Sequence, residues 1–201
     1  MKRPALPSLL RQRGALAVET ALAMPVLLGV GLLGADVHFI NMERTRLENA
    51  AGAAALNLAA QPKLTAAGLD ALIATVLKGH DEQQQIVVMN VLQSGRVEWA
   101  LQRGGAGELC EPPSVATRYT GELPEDPPES EDASADDDGS RLSLVVVQAC
   151  RSTSDITLSG GLVMPDVLET TSVFRATAAT ITLDDELQAE SDASGLAYIG
   201  T

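Results

Sequence analysis

The chain has 201 residues and a formal net charge of -13, enough length for one modest globular domain with appendages. That charge balance argues against a nucleic-acid partner, because phosphate binding needs clustered Lys and Arg. Aromatic residues make up only 2%, so a core has to be built from Ala, Leu and Val.

The N-terminus opens on Lys2, Arg3, Arg11 and Arg13, with no acid among them. From Ala15 to Ala35 an apolar run follows, and its one charge is Glu19. At 1.5 Å per residue, a helix over this run spans roughly 30 Å, the thickness of one hydrocarbon core. Pro25 falls inside the run. In a soluble helix it would cost about 3 kcal/mol, whereas membrane helices accept it as a kink. The bases precede the run, and Glu43, Arg44, Arg46 and Glu48 cancel after it. The positive-inside rule therefore predicts a single-pass inner-membrane protein with a cytoplasmic N-terminus and a periplasmic C-terminal domain. A secretory signal peptide and a plain uncleaved anchor are the competing readings. The first offers a poor cleavage site at "GLLGAD", and the second leaves Gly14 and Glu19 without a purpose.

Basic cluster, Gly14, four small or apolar residues, Glu19 and then a membrane helix: this order resembles the class III signal of type IV prepilins and pseudopilins. The wider stretch, "RQRGALAVETALAMPVLLGVGLLGADVHF" followed by "RTRLENAAGAAALNLA", resembles the TadE/TadF-like pseudopilins of tight-adherence (Flp) pilus systems. Val18, Glu19, Ala21, Leu22 and Pro25 match that pattern, and Thr20 stands where Phe is commoner. The resemblance implies cleavage by a prepilin peptidase between Gly14 and Ala15. It implies that Glu19 then pairs with an N-terminal amine, its own or a neighbouring subunit's, during assembly. It also implies other pilin and pseudopilin subunits as partners, no enzymatic activity, no cofactor and no small-molecule substrate. The residues agree with that chemistry: a cut before Ala15 creates a cation four residues from Glu19, on the same helix face. Snorkelling of Glu19 to the cytoplasmic headgroups is the plainer alternative.

The expected fold is α+β and pilin-like. A leader occupies 1–14 and a transmembrane helix 15–40. The helix continues into the periplasmic domain, where Leu47, Ala51, Ala54 and Leu58 make one apolar stripe that would cover a sheet. A second amphipathic helix is predicted over 64–79, closed by Gly79. Strands are predicted over 85–92 and 96–103, with Val97, Trp99 and Leu101 sharing a face, so 41–110 holds the helical extension, the second helix and the first strands. The remaining strands fall in 141–183: one over 141–151, and one over 171–183 that puts Val173, Thr177 and Ile181 on one face. These strands would form a small antiparallel sheet.

Between Tyr119 and Ser140 lie nine acids and no base. The stretch 111–140 also holds five prolines, a composition that predicts a disordered loop. Cys110 and Cys150 flank it, as one disulfide in an oxidising compartment or as two buried thiols. The last segment, 184–201, reads as an acidic flexible tail. No metal site is predicted. His38 and His80 lack partners at metal spacing, and the Ser134, Asp136, Asp138, Gly139 spacing of a calcium loop ends on Val145 where Glu is needed. No nucleophile elbow, phosphate loop or dinucleotide fingerprint is present either.

Overall fold

A computed structural model describes residues 9–77, 81–111, 114–115, 118–125 and 143–195. The chain divides into two compact units. One joins Met1–Met42 to Ile156–Met164, and the other joins Glu43–Asp155 to Pro165–Thr201. The first helix, α1 (Leu9–Ala59), is shared between them. The architecture is α+β: a long apolar N-terminal helix, further helices and a small antiparallel sheet.

In the first unit, α1 presents its apolar residues outward. Val18, Leu22, Val26, Leu27, Leu28 and Val30 are each more than 60% exposed. A continuous exposed apolar surface of this kind is what a membrane-spanning helix presents. It is long and apolar enough to cross a membrane. The helix runs on through Pro25 without interruption. The proline ring removes one backbone donor, the one that would have served the carbonyl of Ala21.

In the second unit, the sheet comprises β2 (Gln84–Leu92), β3 (Val97–Arg103), β6 (Ser143–Ser152) and β7 (Val167–Arg175), in the order β3-β2-β6-β7. All three pairings are antiparallel. Both of its faces are covered. On one face Ile86, Val88, Trp99, Leu101, Val145, Val147 and Ala149 pack in one cluster with Leu47, Ala51, Ala54, Ala55 and Leu58 of α1. Those helix positions recur at the predicted three- and four-residue spacing, and the alanines let the helix backbone approach the sheet closely. Fully burying each Leu, Ile or Val here contributes about 1.5–3 kcal/mol. The second helix, α2 (Ala66–Leu77), adds Leu69, Ile73 and Leu77 to the same cluster. It is shorter at both ends than the predicted 64–79. Lys63–Leu64 form a two-residue strand, β1, and residues 78–80, with Gly79 and His80, lie outside the described residues.

The opposite face is sealed by a second cluster. Val87, Met89, Val91, Val146 and Cys150 meet Cys110 and Tyr119 there. Tyr119 belongs to β5 (Arg118–Tyr119), which pairs with β4 (Ser114–Val115). The start of the predicted loop at 111–140 is therefore a covering layer with a buried tyrosine. Residues 126–142, including Ser134, Asp136, Asp138 and Gly139, lie outside the described residues.

Three further expectations differ from the structure. A register shift between Asn90 and Val91 inserts Glu98 as an extra residue, so Val97 joins the second cluster while Trp99 and Leu101 stay in the first. The strand expected over 171–183 runs over Val167–Arg175 instead, which leaves Thr177 and Ile181 beyond its end. Ile181 is still buried, and its carbonyl accepts a hydrogen bond from the Trp99 indole (3.1 Å). Finally, β8 (Thr182–Leu183), paired in parallel with β1, leads into the segment read as a flexible tail, 184–201, which holds the helix α3 (Asp185–Ser194). Leu187 and Ser191 of α3 are fully buried, and the Ser191 hydroxyl accepts from the Ala100 amide (3.1 Å), so α3 covers the β3 edge. Residues 196–201 lie outside the described residues.

Candidate functional site

The N-terminal part of α1 carries the features that point to function. Glu19 is exposed on the helix, and it is the one charged residue between Ala17 and Ala35. It lies one turn beyond Ala15, and about 24 Å of apolar helix follows it to Ala35. A carboxylate so placed is costly in hydrocarbon unless it reaches a headgroup or meets a cation. Gly14 and Ala15 lie inside α1 with helical backbone. A protease that needs an extended peptide there has to unwind this turn. Gly14 makes that easier, since Gly in a helix is about 1 kcal/mol less favourable than Ala.

The far end of the apolar run has a feature that the sequence did not disclose. Asp36 is 4% exposed. Its carboxylate accepts the backbone N–H of Ser159 (3.0 Å) and of Gly160 (2.6 Å). Both donors belong to the loop that shares the first unit with α1. Two charge-assisted bonds compensate the removal of this carboxylate from water. The usable signal is weak: an acid at the end of an apolar helix and a Ser-Gly-Gly far downstream.

Within the second unit three more polar constellations hold the helices in place. Glu43 of α1, 4% exposed at its side chain, pairs with Arg151 of β6, 7% exposed. Glu43 also accepts from Arg46 (2.8 Å), and Arg151 also reaches Asp155 (3.2 Å). These side chains are paired structurally and do not set a nucleophile beside a base. Asp184, between β8 and α3, accepts the N–H of Leu187 (2.9 Å) at the start of α3 and that of Ala66 (2.9 Å) at the start of α2. These backbone donors hold its carboxyl below the usual carboxylate range. Arg103 links α2 to α3 through Asp70 (2.7 Å) and Glu190 (2.5 Å). Burial works against its charge, but the two carboxylates outweigh it and raise its pKa.

Cys110 and Cys150 form a disulfide, with Cα atoms 5.5 Å apart. The Gln85 side-chain carbonyl sets Cys110 by accepting the N–H groups of Leu109 and Cys110, both at 2.6 Å. Gln85 is itself the β2 partner of Cys150.

The apolar helix with Glu19 near its start is matched by a known family. Residues 14–61 match the Tad family, putative Flp pilus-assembly TadE/G-like. The Tad match starts at Gly14 and ends two residues beyond α1, so it covers the exposed apolar run and the alanine stripe together. Over this segment the chain is similar to putative Flp pilus-assembly TadE/G-like proteins. No curated protein gives a significant match, and no solved structure does.

Proposed function

We propose that this protein is a pseudopilin-like structural subunit of a Flp/Tad pilus or a related secretion system. A prepilin peptidase cuts it between Gly14 and Ala15, and the second unit then stands in the periplasm, anchored by α1 in the inner membrane. Glu19 neutralises an N-terminal amine during assembly. Its partners are other pilin and pseudopilin subunits, and its role is non-enzymatic. The observation that carries this reading is the Tad match beginning at Gly14 on a helix whose exposed apolar run holds one carboxylate, Glu19. Cleavage would turn a poorly placed acid into half of an ion pair, four residues from the new amine.

The test is the intact mass of the protein from membranes of a host carrying a prepilin peptidase. A mature chain starting at Ala15 is expected. A chain still starting at Met1 overturns the pseudopilin reading. The helical backbone at Gly14–Ala15 favours one alternative, an uncleaved single-pass envelope protein with a periplasmic partner-binding domain. That alternative predicts the same mass whether or not the peptidase is present.

A further inference from the structure

The loop Ile156–Met164 contains no charged residue, although Asp155 and Asp166 lie close on either side. It carries Ile156, Leu158, Leu162, Val163 and Met164, yet it does not bury its tip. Val163 is 92% exposed and Leu162 36%. An apolar tip held in water has an unfavourable contact with no return. The loop's place against α1 gives the reason for it.

Three contacts fix that place, all within the first unit. Ser159 and Gly160 donate their amides to Asp36. Gly160 also lies directly on the helix backbone. A Cβ added there would come within 2.8 Å of the Leu32 carbonyl carbon and of the Leu33 nitrogen, so only glycine fits. Gly161 follows with φ 89°, a left-handed turn that directs Leu162 and Val163 onward. The seat at Leu32–Leu33 is roughly 26 Å along the helix from Ala15, against a hydrocarbon core of about 30 Å. The loop is thus held at the outer boundary of the apolar run. There Leu32, Leu33, Val37 and Phe39 are themselves 46%, 42%, 49% and 39% exposed.

We infer that the Ile156–Met164 loop is a second membrane contact, whose Leu162 and Val163 enter the interfacial zone of the outer leaflet beside α1. The occupant of this surface is phospholipid. The apolar tip continues the lipid-facing surface of the helix, and the loop lacks any charge that would be stripped of water on entry. The Asp36 clamp has a matching role. It keeps the one acid near this level bonded to backbone and hidden from lipid. The inference rests on α1 spanning the membrane, and it is indifferent to cleavage at Gly14.

The test uses the full chain in phospholipid vesicles containing lipid brominated just below the headgroups, with Trp fluorescence as the readout. Native Trp99 is 4% exposed and serves as the baseline. Val163→Trp is expected to add blue-shifted emission that bromolipid quenches and aqueous acrylamide does not. Emission quenched by acrylamide alone overturns the proposal. Emission shielded from both quenchers also overturns it, since a protein surface would then cover the tip. Adding Gly160→Ala to Val163→Trp should unseat the loop and abolish the bromolipid quenching. Unchanged quenching would refute the role given to the seat. Leu28→Trp, in mid-helix, separates the two failures. If lipid brominated at the chain centre does not quench it, the spanning helix itself is wrong. If it is quenched and Val163→Trp is not, the loop proposal alone fails.

Discussion

Glu43 of α1 and Arg151 of β6 form an ion pair that is almost completely withdrawn from solvent. Removing one partner leaves the other charge buried, with only Asp155 (3.2 Å) remaining for Arg151 or Arg46 (2.8 Å) for Glu43. Replacing Glu43 with Ala should therefore cost about 3–5 kcal/mol, the range for breaking a buried pair from one side. The double variant Glu43→Leu, Arg151→Met should recover most of that loss, because no charge is stranded. Urea unfolding of the full chain in detergent micelles, followed by Trp99 fluorescence, reads both effects. Equal destabilisation by the single and double variants would show that packing, and not stranded charge, sets the cost.

Asp184 offers a second stability test, with a pH signature. Its carboxylate caps α2 and α3 at once, and its pKa is lowered in the folded protein. A group with a depressed folded pKa contributes stability above its unfolded pKa and loses it as pH falls through the folded value. Thermal unfolding should show Asp184→Ala below wild type at neutral pH, with the gap closing on acidification. A gap that stays constant down to strongly acidic pH would mean that the carboxylate charge is irrelevant to the caps.

The buried disulfide should contribute strongly to stability. It closes a sequence separation of 40 residues. On the chain-entropy view, a loop of that length corresponds to about 4 kcal/mol taken from the unfolded state. Reduction, or Cys150→Ala, should lower the urea midpoint accordingly. Far-ultraviolet circular dichroism before unfolding should stay unchanged, because β2 and β6 pair along their whole length without the bridge.

Glu19→Ala should leave membrane insertion intact, since it makes the run more apolar. On the proposed processing, pilus formation should fall sharply, because the amine created at Ala15 would lack its counter-charge. Surface pilus yield, with membrane-fraction immunoblots to confirm insertion, is the measurement. Normal piliation would remove Glu19 from the mechanism.

Which parts of this molecule could be read from its sequence follows from where the determining contacts lie. The Leu47, Ala51, Ala54, Leu58 stripe is legible because helix geometry alone puts those residues together, and all four are buried. Glu19 and Pro25 lie on α1 as expected, whereas Gly14, expected in a leader before the helix, lies inside it because α1 begins at Leu9. Val97 is misread because a single inserted residue, Glu98, reverses the alternation, and nothing in the local composition marks the bulge. The end of β7 at Arg175 is set by its partner. β6 begins at Ser143, and the last ladder-type bond runs from the Ala176 amide to the Ser143 carbonyl (2.9 Å). Beyond that point the Thr177 amide donates to the Ala59 carbonyl (2.8 Å) and the Thr182 amide to that of Pro62 (3.1 Å), so the chain turns away from β6. The helix α3 is hidden by its own acidity, since only Leu187 and Ser191 face inward. Asp36 is illegible for another reason: its donors lie 123 and 124 residues away.

The bridge between Cys110 and Cys150 also changes what proteolysis can do to this chain. Every peptide bond between the two cysteines lies within a covalent ring. A single nick anywhere in the acidic stretch therefore releases nothing. The two pieces run as one band on a non-reducing gel and part only when thiol is added. Such a ring can also gain or lose residues between its ends without shifting the register of β2 against β6, which makes it the natural place for this domain to vary in length.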